Sequence, residues 1–195
     1  EDENLDIILA SASPRRKDIL DIFNKDYIIK IPYADETINS EFSPAINAMH
    51  IAYLKTKNIL QSNPKATIIS ADTVVAIGDK IFGKPRSAED AFDMLIQLSG
   101  KKHSVITGFC IANSEKNIIY TDYVKTDVTF RNISNKSIES YLSSNEYADK
   151  AGAYAIQGKA SVFIDKIEGD YFNIVGLPIS EINKVLTELF SFSLI

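Results

Sequence analysis

The stretch LDIILASASPRRKDIL, residues 5–20, joins an apolar run directly to the start of a helix. The run LDIILA is almost continuously apolar, which is typical of a strand buried on both faces of a sheet. Ser13 followed by Pro14 is typical of an N-cap and a first helical residue. A buried strand that leads into a helix predicts an α/β fold, with the Ser-Pro-Arg-Arg turn at an edge of the sheet.

Cations occupy the first turn of this predicted helix. Arg15, Arg16 and Lys17 lie where the partial positive charge of a helix N-terminus disfavours them by roughly a few tenths of a kcal/mol each. A bound phosphate would reverse that effect, because it would accept hydrogen bonds from the helix N–H groups and from the guanidinium groups. The hydroxyls of Ser11 and Ser13 would be further donors. The turn therefore predicts an anion site.

The rest of the chain alternates between apolar runs and amphipathic stretches, with a hairpin of two long strands in the middle. Within residues 66–85 we expect a strand, a polar interruption at Asp72-Thr73, a second strand and a Gly-Asp turn. This order predicts a mixed β-sheet flanked by helices. The other strands are expected near 27–31, 104–112, 118–130 and 161–164, and the other helices near 43–61, 88–99, 136–143 and 178–190.

The composition excludes several classes of protein. A chain of 195 residues that is 45% hydrophobic can bury a sizeable core, and its net charge of −5 argues against binding of long nucleic acid, which needs a basic face. The single cysteine, Cys110, excludes an internal disulfide and a cysteine-rich zinc site. No apolar run approaches the roughly 18 residues of a membrane span, and the acidic start EDENLD lacks the basic region of a secretory signal. We expect a soluble, cytoplasmic protein without a membrane partner.

Four polar clusters fall at the ends of apolar runs, where α/β folds collect their ligand sites. They are the Ser-Pro-Arg-Arg turn, Asp35-Glu36, Asp72-Thr73 and Gly83-Lys84-Pro85. Together they supply carboxylates for a divalent cation and several cations for phosphates, which is the set of groups that phosphoryl chemistry needs. The Walker A, G-x-G-x-x-G and H-E-x-x-H patterns do not occur, which excludes the common nucleotide-binding loops and the zincin pattern.

On the residues alone, structural explanations of these clusters stay open. The two arginines could pair with Asp18 and Asp21 on an exposed helix face. Asp72 could cap a turn rather than act as a base. Lys55 and Lys84 could be solvated surface lysines.

Several longer motifs occur in order: LASASPRR at 9, DE at 35, AYLK at 52, ADTVV at 71, GKP at 83, DKAGAYAIQG at 149 and IEGDYFNIVGLP at 167. In this order they resemble the Maf family of nucleoside triphosphate pyrophosphatases over nearly the whole chain. The resemblance implies a single domain over residues 1–195, with an elongated mixed sheet and two lobes around a cleft, of the ITPase-like Maf and Ham1 type. It also implies a homodimer that hydrolyses a nucleoside triphosphate to the monophosphate and pyrophosphate with a divalent metal.

The resemblance further implies roles for individual residues. Asp72 matches the proton acceptor of the family. The other charged positions of the family's cleft are matched by Glu36, Lys55, Lys84 and Arg16. Members that accept dTTP and UTP carry the residues found here as Arg15, Thr73 and Gln157. The branch that acts on 7-methyl-GTP has motifs similar to SPWR, SDQ and SEG at these three positions. This sequence therefore resembles the pyrimidine branch at all three.

These roles fit the chemistry of the reaction, in which water attacks the α-phosphorus in line and the leaving pyrophosphate is neutralised. Asp72 would position and deprotonate the water, and Asp72 and Glu36 would face a Mg²⁺ or Mn²⁺ ion. Gln157 would present its amide to a pyrimidine edge, with Thr73 contributing more loosely. We expect hydrolysis of dTTP and UTP. The alternatives are the 7-methyl-GTP branch and a nucleotide-binding cell-division regulator without turnover.

Overall fold

The computed structural model describes residues 6–195, so the predictions for the acidic start and for Leu5 lie outside the described residues. The strands are β1 (Ile7–Ala10), β2 (Ile28–Lys30), β3 (Thr67–Ile77), β4 (Lys80–Phe82), β5 (Lys102–Asn113), β6 (Ile118–Phe130) and β7 (Ile164–Glu168). The helices are α1 (Pro14–Asp21), α2 (Pro44–Leu60), α3 (Ala88–Leu98), α4 (Asn135–Leu142), α5 (Tyr171–Val175) and α6 (Ile179–Phe190). Short 3-10 turns cover Ala151–Ala153 and Lys159–Phe163.

The strands form one seven-stranded sheet in the order β2-β1-β3-β5-β6-β7, with β4 paired to β3. Strand β1 runs parallel to both of its neighbours, and the pairs from β3 to β7 are antiparallel. The predicted mixed sheet flanked by helices is confirmed. The division into two lobes stays a prediction.

Alternate residues along the central strands pack into cores on opposite faces of the sheet, as a strand period of two requires. Ile7 and Leu9 of β1 join the large core that includes residues of α1, α3, α4, α5 and α6. Ile8 packs instead on the opposite face, where Ile59 of α2 covers it. The predicted small core residue Cys110 is fully buried, and burial raises the pKa of its thiol to about 11. Among residues 6–195, no helix combines the length and the apolar character needed to cross a membrane.

Strand β3 is continuous, so the predicted polar interruption at Asp72-Thr73 is wrong. The backbone of both residues stays in register with β5, where Asp72 is opposite Gly108 and Thr73 is opposite Thr107. A strand's hydrogen bonds are made by its backbone, so polar side chains need not break the ladder. Because neighbouring side chains alternate, Asp72 and Thr73 point to opposite faces of the sheet.

Helix α2 packs closely against the sheet through its small residues, and not through the bulky residues predicted to face it. The spacing of Ile46, Met49, Tyr53 and Leu60 predicts that the helix buries those side chains, but Ile46 is 47% exposed. The buried face consists instead of Asn47, Ala48, Ile51, Ala52, Lys55, Thr56 and Ile59. A Cβ on Gly108 of β5 would lie 2.3 Å from the backbone carbon of Ala48, so only glycine permits this approach. Small residues therefore form the contact.

Two further expectations near the C-terminus differ from the structure. The stretch SVFI, expected as a strand, is mostly a 3-10 turn, and the strand begins only at Ile164. Helix α5 was not predicted, because five residues are too few to show a helical period. Asp170 starts α5 by accepting hydrogen bonds from the backbone N–H groups of Phe172 and Asn173.

His103, on β5, is a buried structural histidine that exposes 2% of its surface. Its Nε2 atom lies 2.6 Å from the hydroxyl of Tyr154, whereas Nδ1 has no hydrogen-bond partner within residues 6–195. Burial lowers the pKa of His103 to about 4, although the charge of Asp127 acts in the opposite direction. The imidazole is therefore neutral at physiological pH.

This burial makes the stability of the fold sensitive to acid. An unfolded histidine titrates near pH 6.5, so between pH 6.5 and about 4 the unfolded state binds a proton that folded His103 does not. The contribution of His103 to the free energy of unfolding is therefore fully present above pH 6.5. It is lost as the pH falls from 6.5 to about 4, by roughly 3 kcal/mol. Glutamine cannot titrate, so we expect the unfolding free energy of His103→Gln to fall less over this pH range than that of the wild type. Urea unfolding curves at successive pH values measure the difference. Parallel curves for the two proteins would contradict the prediction.

Candidate functional site

The main candidate for a functional site is a cavity of about 340 Å³. It lies between the turn after β1, the middle of β3 and the segment 149–157, and its size is at the lower end of the range for small-molecule sites. Every predicted site residue lines it: Ser11, Ser13, Arg15, Arg16, Glu36, Lys55, Asp72, Thr73, Lys84 and Gln157. The fold therefore brings together groups that are far apart in the chain.

Lys55 is the central cation of the cavity. It lies on the buried face of α2, and 8% of its side chain is exposed, so its alternative explanation as a solvated surface lysine is wrong. Its Nζ atom lies 2.9 Å from Oδ1 of Asp72 and 3.2 Å from Oε1 of Glu36. A buried ammonium is costly unless it is paired, and these two carboxylates supply the pairing.

Arg16 is also buried, with 8% of its surface exposed. Its Nε donates to the carbonyl oxygen of Gly176 at 2.7 Å, and Nη2 donates to the Thr73 hydroxyl at 3.2 Å. The alternative pairing of Arg16 with Asp18 or Asp21 is wrong, since Asp21 pairs with Lys17 instead. Burial lowers the pKa of Arg16, whereas the charges of Asp72 and Glu36 raise it. The two carboxylates that pair with Lys55 therefore also act electrostatically on this guanidinium.

The turn after β1 keeps hydrogen-bond donors available. The hydroxyl oxygen of Ser11 accepts from the backbone N–H of Ser13 at 3.1 Å and from Nη1 of Arg16 at 3.4 Å. Both lone pairs of Ser11 are then in use, so its own O–H is directed elsewhere. Of the five N–H groups of Arg16, the three described bonds leave one on each Nη nitrogen without an acceptor within residues 6–195. These donors suit an anion in the cavity.

Ser13 occupies the N-cap position of α1 as predicted, but its side chain makes no capping hydrogen bond. Its backbone N–H is bound to Ser11, which turns the chain sharply between β1 and α1. The Ser13 hydroxyl is therefore not needed to cap the helix. Ser13 lines the cavity together with Pro14.

The rim of the cavity carries the more exposed groups. Arg15 is half-buried, whereas Lys84, Gln157 and Glu36 are exposed. Asp35, the neighbour of Glu36, does not line the cavity; its carboxylate accepts from the backbone N–H of Thr37 at 2.9 Å, which is a turn contact.

Sequence reasoning missed three polar lining residues. Asp149, Lys150 and Tyr154 belong to the motif DKAGAY, which was informative only as a resemblance. Lys150 Nζ lies 2.8 Å from Asp149 and lowers the pKa of that carboxyl, with a smaller contribution from Arg15. Charge alone could not single them out, because a neighbouring Asp-Lys pair is usually a surface feature.

Within the described part of the chain, no group of three or more His, Cys, Asp and Glu side chains is arranged to hold a metal. Among the described residues, three acidic side chains line the cavity, Glu36, Asp72 and Asp149, and the first two pair with Lys55. Any cation bound there would need further ligands from water or from a bound anion.

Comparison with known proteins gives one family and close relatives. The profile of the family described as "Maf-like protein" matches residues 6–189. A protein named dTTP/UTP pyrophosphatase from Bacillus pumilus is 45% identical over 92% of this chain and 94% of its own length. The protein of the same name from Clostridioides difficile is 44% identical over 97% of this chain and 98% of its own length. The solved structure of the Staphylococcus aureus Ham1 protein is 14% identical, covers 64% of this chain and 71% of its own, and has a TM-score of 0.48.

Proposed function

The chain belongs to the Maf-like family, and from that premise we propose that it hydrolyses dTTP and UTP to the monophosphate and pyrophosphate. The observation that carries the proposal is the convergence of Asp72, Lys55 and Arg16 on one cavity. Asp72 lies on β3, Lys55 on α2 and Arg16 in the first turn of α1, so the acid and the two cations come from three separate elements. A triphosphate is the ligand that uses both kinds of group.

The phosphate chain would lie against the turn after β1. Ser11 has a free O–H and Arg16 has two free N–H groups in the described part of the chain, and these donate to phosphate oxygens at fixed positions. Arg15 and Lys84 at the rim add further positive charge. Fixed donors orient the α-phosphate, and the rim cations neutralise the charge that grows on the leaving pyrophosphate.

Asp72 would act on the attacking water. One carboxylate oxygen, Oδ1, accepts from Lys55, while Oδ2 has no partner within residues 6–195 and is the oxygen available to water. The water oxygen forms a bond to the α-phosphorus, the bond from that phosphorus to the bridging oxygen breaks, and pyrophosphate leaves with the electron pair. Asp72 takes the proton of the water and later releases it to solvent.

The acidic pair also fits a divalent cation. Glu36 and Asp72 both contact the Lys55 ammonium, at 3.2 Å and 2.9 Å, so the two carboxylates are close to each other. Mg²⁺ prefers one or two carboxylates completed by water and substrate phosphates, and Mn²⁺ accepts the same oxygen donors. We propose that these two residues hold the ion, which when bound would polarise the phosphate and lower the pKa of a bound water.

We propose that residues at the rim of the cavity select the base of the nucleotide. Gln157 is exposed there, and its amide offers both a donor and an acceptor to a pyrimidine edge. The residues at 15, 73 and 157 match the pyrimidine branch, which favours UTP and dTTP over 7-methyl-GTP. The homodimer implied by the resemblance stays a prediction.

A panel of nucleotides tests this function. With Mg²⁺ or Mn²⁺, we expect UTP and dTTP to give pyrophosphate at rates far above that of 7-methyl-GTP, as measured by coupled pyrophosphate detection. Release of orthophosphate would move the reaction away from the α-phosphorus. Calorimetric binding of UTP without turnover under either metal would favour the regulator instead.

A further inference from the structure

We propose that Thr107 is a positioning residue for Arg16 and acts through Thr73. The inference rests on the proposed function, in which Arg16 holds the phosphates. The guanidinium of Arg16 and the hydroxyls of Thr73 and Thr107 form a hydrogen-bonded chain. This chain ends on the backbone of the segment 173–176. The hydrogen atoms in this chain have only one consistent arrangement.

The order of donors follows from counting hydrogens. Thr107 Oγ1 lies 2.9 Å from the carbonyl oxygen of Asn173. A carbonyl oxygen can only accept, so Thr107 donates its single O–H to it. Thr73 Oγ1 lies 2.8 Å from Thr107 Oγ1, and with that hydrogen already used the donor must be Thr73. Arg16 Nη2 then donates to Thr73 at 3.2 Å. The relay runs from Arg16 through Thr73 and Thr107 to the carbonyl of Asn173.

The end of the relay is rigid. Asn173 is fully buried, and its side chain donates to the carbonyl oxygen of Val105 at 3.1 Å and to the hydroxyl of Thr126 at 3.0 Å. Three residues later, the carbonyl of Gly176 accepts from Arg16 Nε at 2.7 Å. Gly176 has a φ of 124°, a conformation that favours glycine, and a Cβ added there would lie 3.5 Å from Nε of Arg16. One segment thus holds the guanidinium at two points.

The relay also determines what Thr73 can do for a nucleotide. Its one hydrogen is given to Thr107 and one of its lone pairs receives Arg16, so it has no hydrogen to donate to a base. Thr73 lies on the sheet face opposite to that of Asp72. Toward a base it can only accept, at its second lone pair, so we infer that its main influence on the substrate is to orient Arg16.

The first test removes the hydroxyl of Thr107. Thr107→Val keeps the shape of the side chain, and we expect about a tenfold lower kcat/KM for UTP, the factor typical of one lost buried hydrogen bond. Thr107→Ser restores the hydroxyl and should stay within about twofold of wild type. Thr67→Val is the matched control: it removes a fully buried threonine hydroxyl of β3 that accepts from Asn113, six residues from Thr73. It should leave kcat/KM unchanged.

Two readouts separate positioning from a general loss of structure. If Thr107 acts only through Thr73, the double variant Thr73→Val/Thr107→Val should be no less active than Thr73→Val alone. If neither residue contacts the base, Thr107→Val should lower kcat/KM by the same factor for UTP, for dTTP and for a nucleotide with another base, such as CTP. Multiplicative effects, or a factor that differs between bases, would overturn the inference. So would a Thr107→Val enzyme within twofold of wild type, or a Thr107→Ser enzyme as slow as Thr107→Val.

The affinity for inorganic pyrophosphate, measured by calorimetry, tests the relay independently of turnover. We expect Thr107→Val to bind pyrophosphate about tenfold more weakly than wild type, with Thr67→Val unchanged. A wild-type protein that does not hydrolyse UTP but shows this difference would contradict the proposed function and leave the relay supported. Equal affinities of wild type and Thr107→Val, or no pyrophosphate binding by wild type, would overturn the relay.

Discussion

Asp72→Asn is expected to lower the turnover of UTP by about 10²–10⁴-fold, the usual contribution of a general base, while the protein stays folded. Asparagine matches the size of aspartate but cannot take the proton of the attacking water. Lys55 keeps a partner, because Glu36 lies 3.2 Å from its Nζ. The cost in unfolding free energy should therefore be only about 1–3 kcal/mol, that of one hydrogen bond to a charged group.

The measurement compares single-turnover rates of purified variants with their urea unfolding curves. Asp165→Asn is the control: Asp165 of β7 pairs with Arg131 at 2.8 Å and does not line the cavity. Exposed pairs of this kind contribute at most about 1 kcal/mol, so this variant should turn over UTP at the wild-type rate. Wild-type turnover by Asp72→Asn would remove Asp72 from the mechanism.

Gly108→Ala should lower the stability of the fold strongly, although it adds only one methyl group. The new Cβ would lie 2.3 Å from the backbone carbon of Ala48 and 2.4 Å from the backbone nitrogen of Met49. Backbone atoms cannot rotate away, so α2 must move off the sheet. Overpacking of this kind typically costs about 1–3 kcal/mol, which corresponds to a fall in Tm of roughly 2–12 °C for a chain of this size.

The same substitution should also reduce activity. Gly108 is paired with Asp72 across β3 and β5, and Lys55 lies on the helix that would be displaced. Gly83→Ala is the matched control for stability, because a Cβ there has nothing within 4 Å and the backbone needs no positive φ. Thermal unfolding should leave Gly83→Ala within about 0.5 kcal/mol of wild type. A Gly108→Ala protein as stable as Gly83→Ala would show that the contact between α2 and β5 is softer than the structure indicates.

Local sequence signals predicted the elements whose ends carry caps or turns. Ser43 and Ser87 cap α2 and α3 through their side chains, and both helices begin where those serines predict. The hairpin of β5 and β6 also lies where the apolar alternation places it. Capping and alternation involve residues that are close in the chain, so they can be predicted from the sequence.

The buried face of α2 could not be predicted in the same way. It depends on Gly108, which lies on a strand far along the chain and removes the volume that a side chain would fill. The helix therefore presents small residues and Lys55 to the sheet, and not its bulky Ile46. Nothing within residues 43–61 contains that information.

The sequence by itself determined which chemical groups the protein has: an α/β pattern, an acid on β3, and cations in a Ser-Pro-Arg-Arg turn and a Gly-Lys-Pro segment. Only the tertiary structure decided what each group does. Arg16 became a buried, anchored donor while Arg15 stayed at the rim, and Lys55 became the partner of Asp72 and Glu36. The physical reason is that hydrogen bonds and charge interactions depend on distance and burial, which the fold alone fixes between residues remote in the chain.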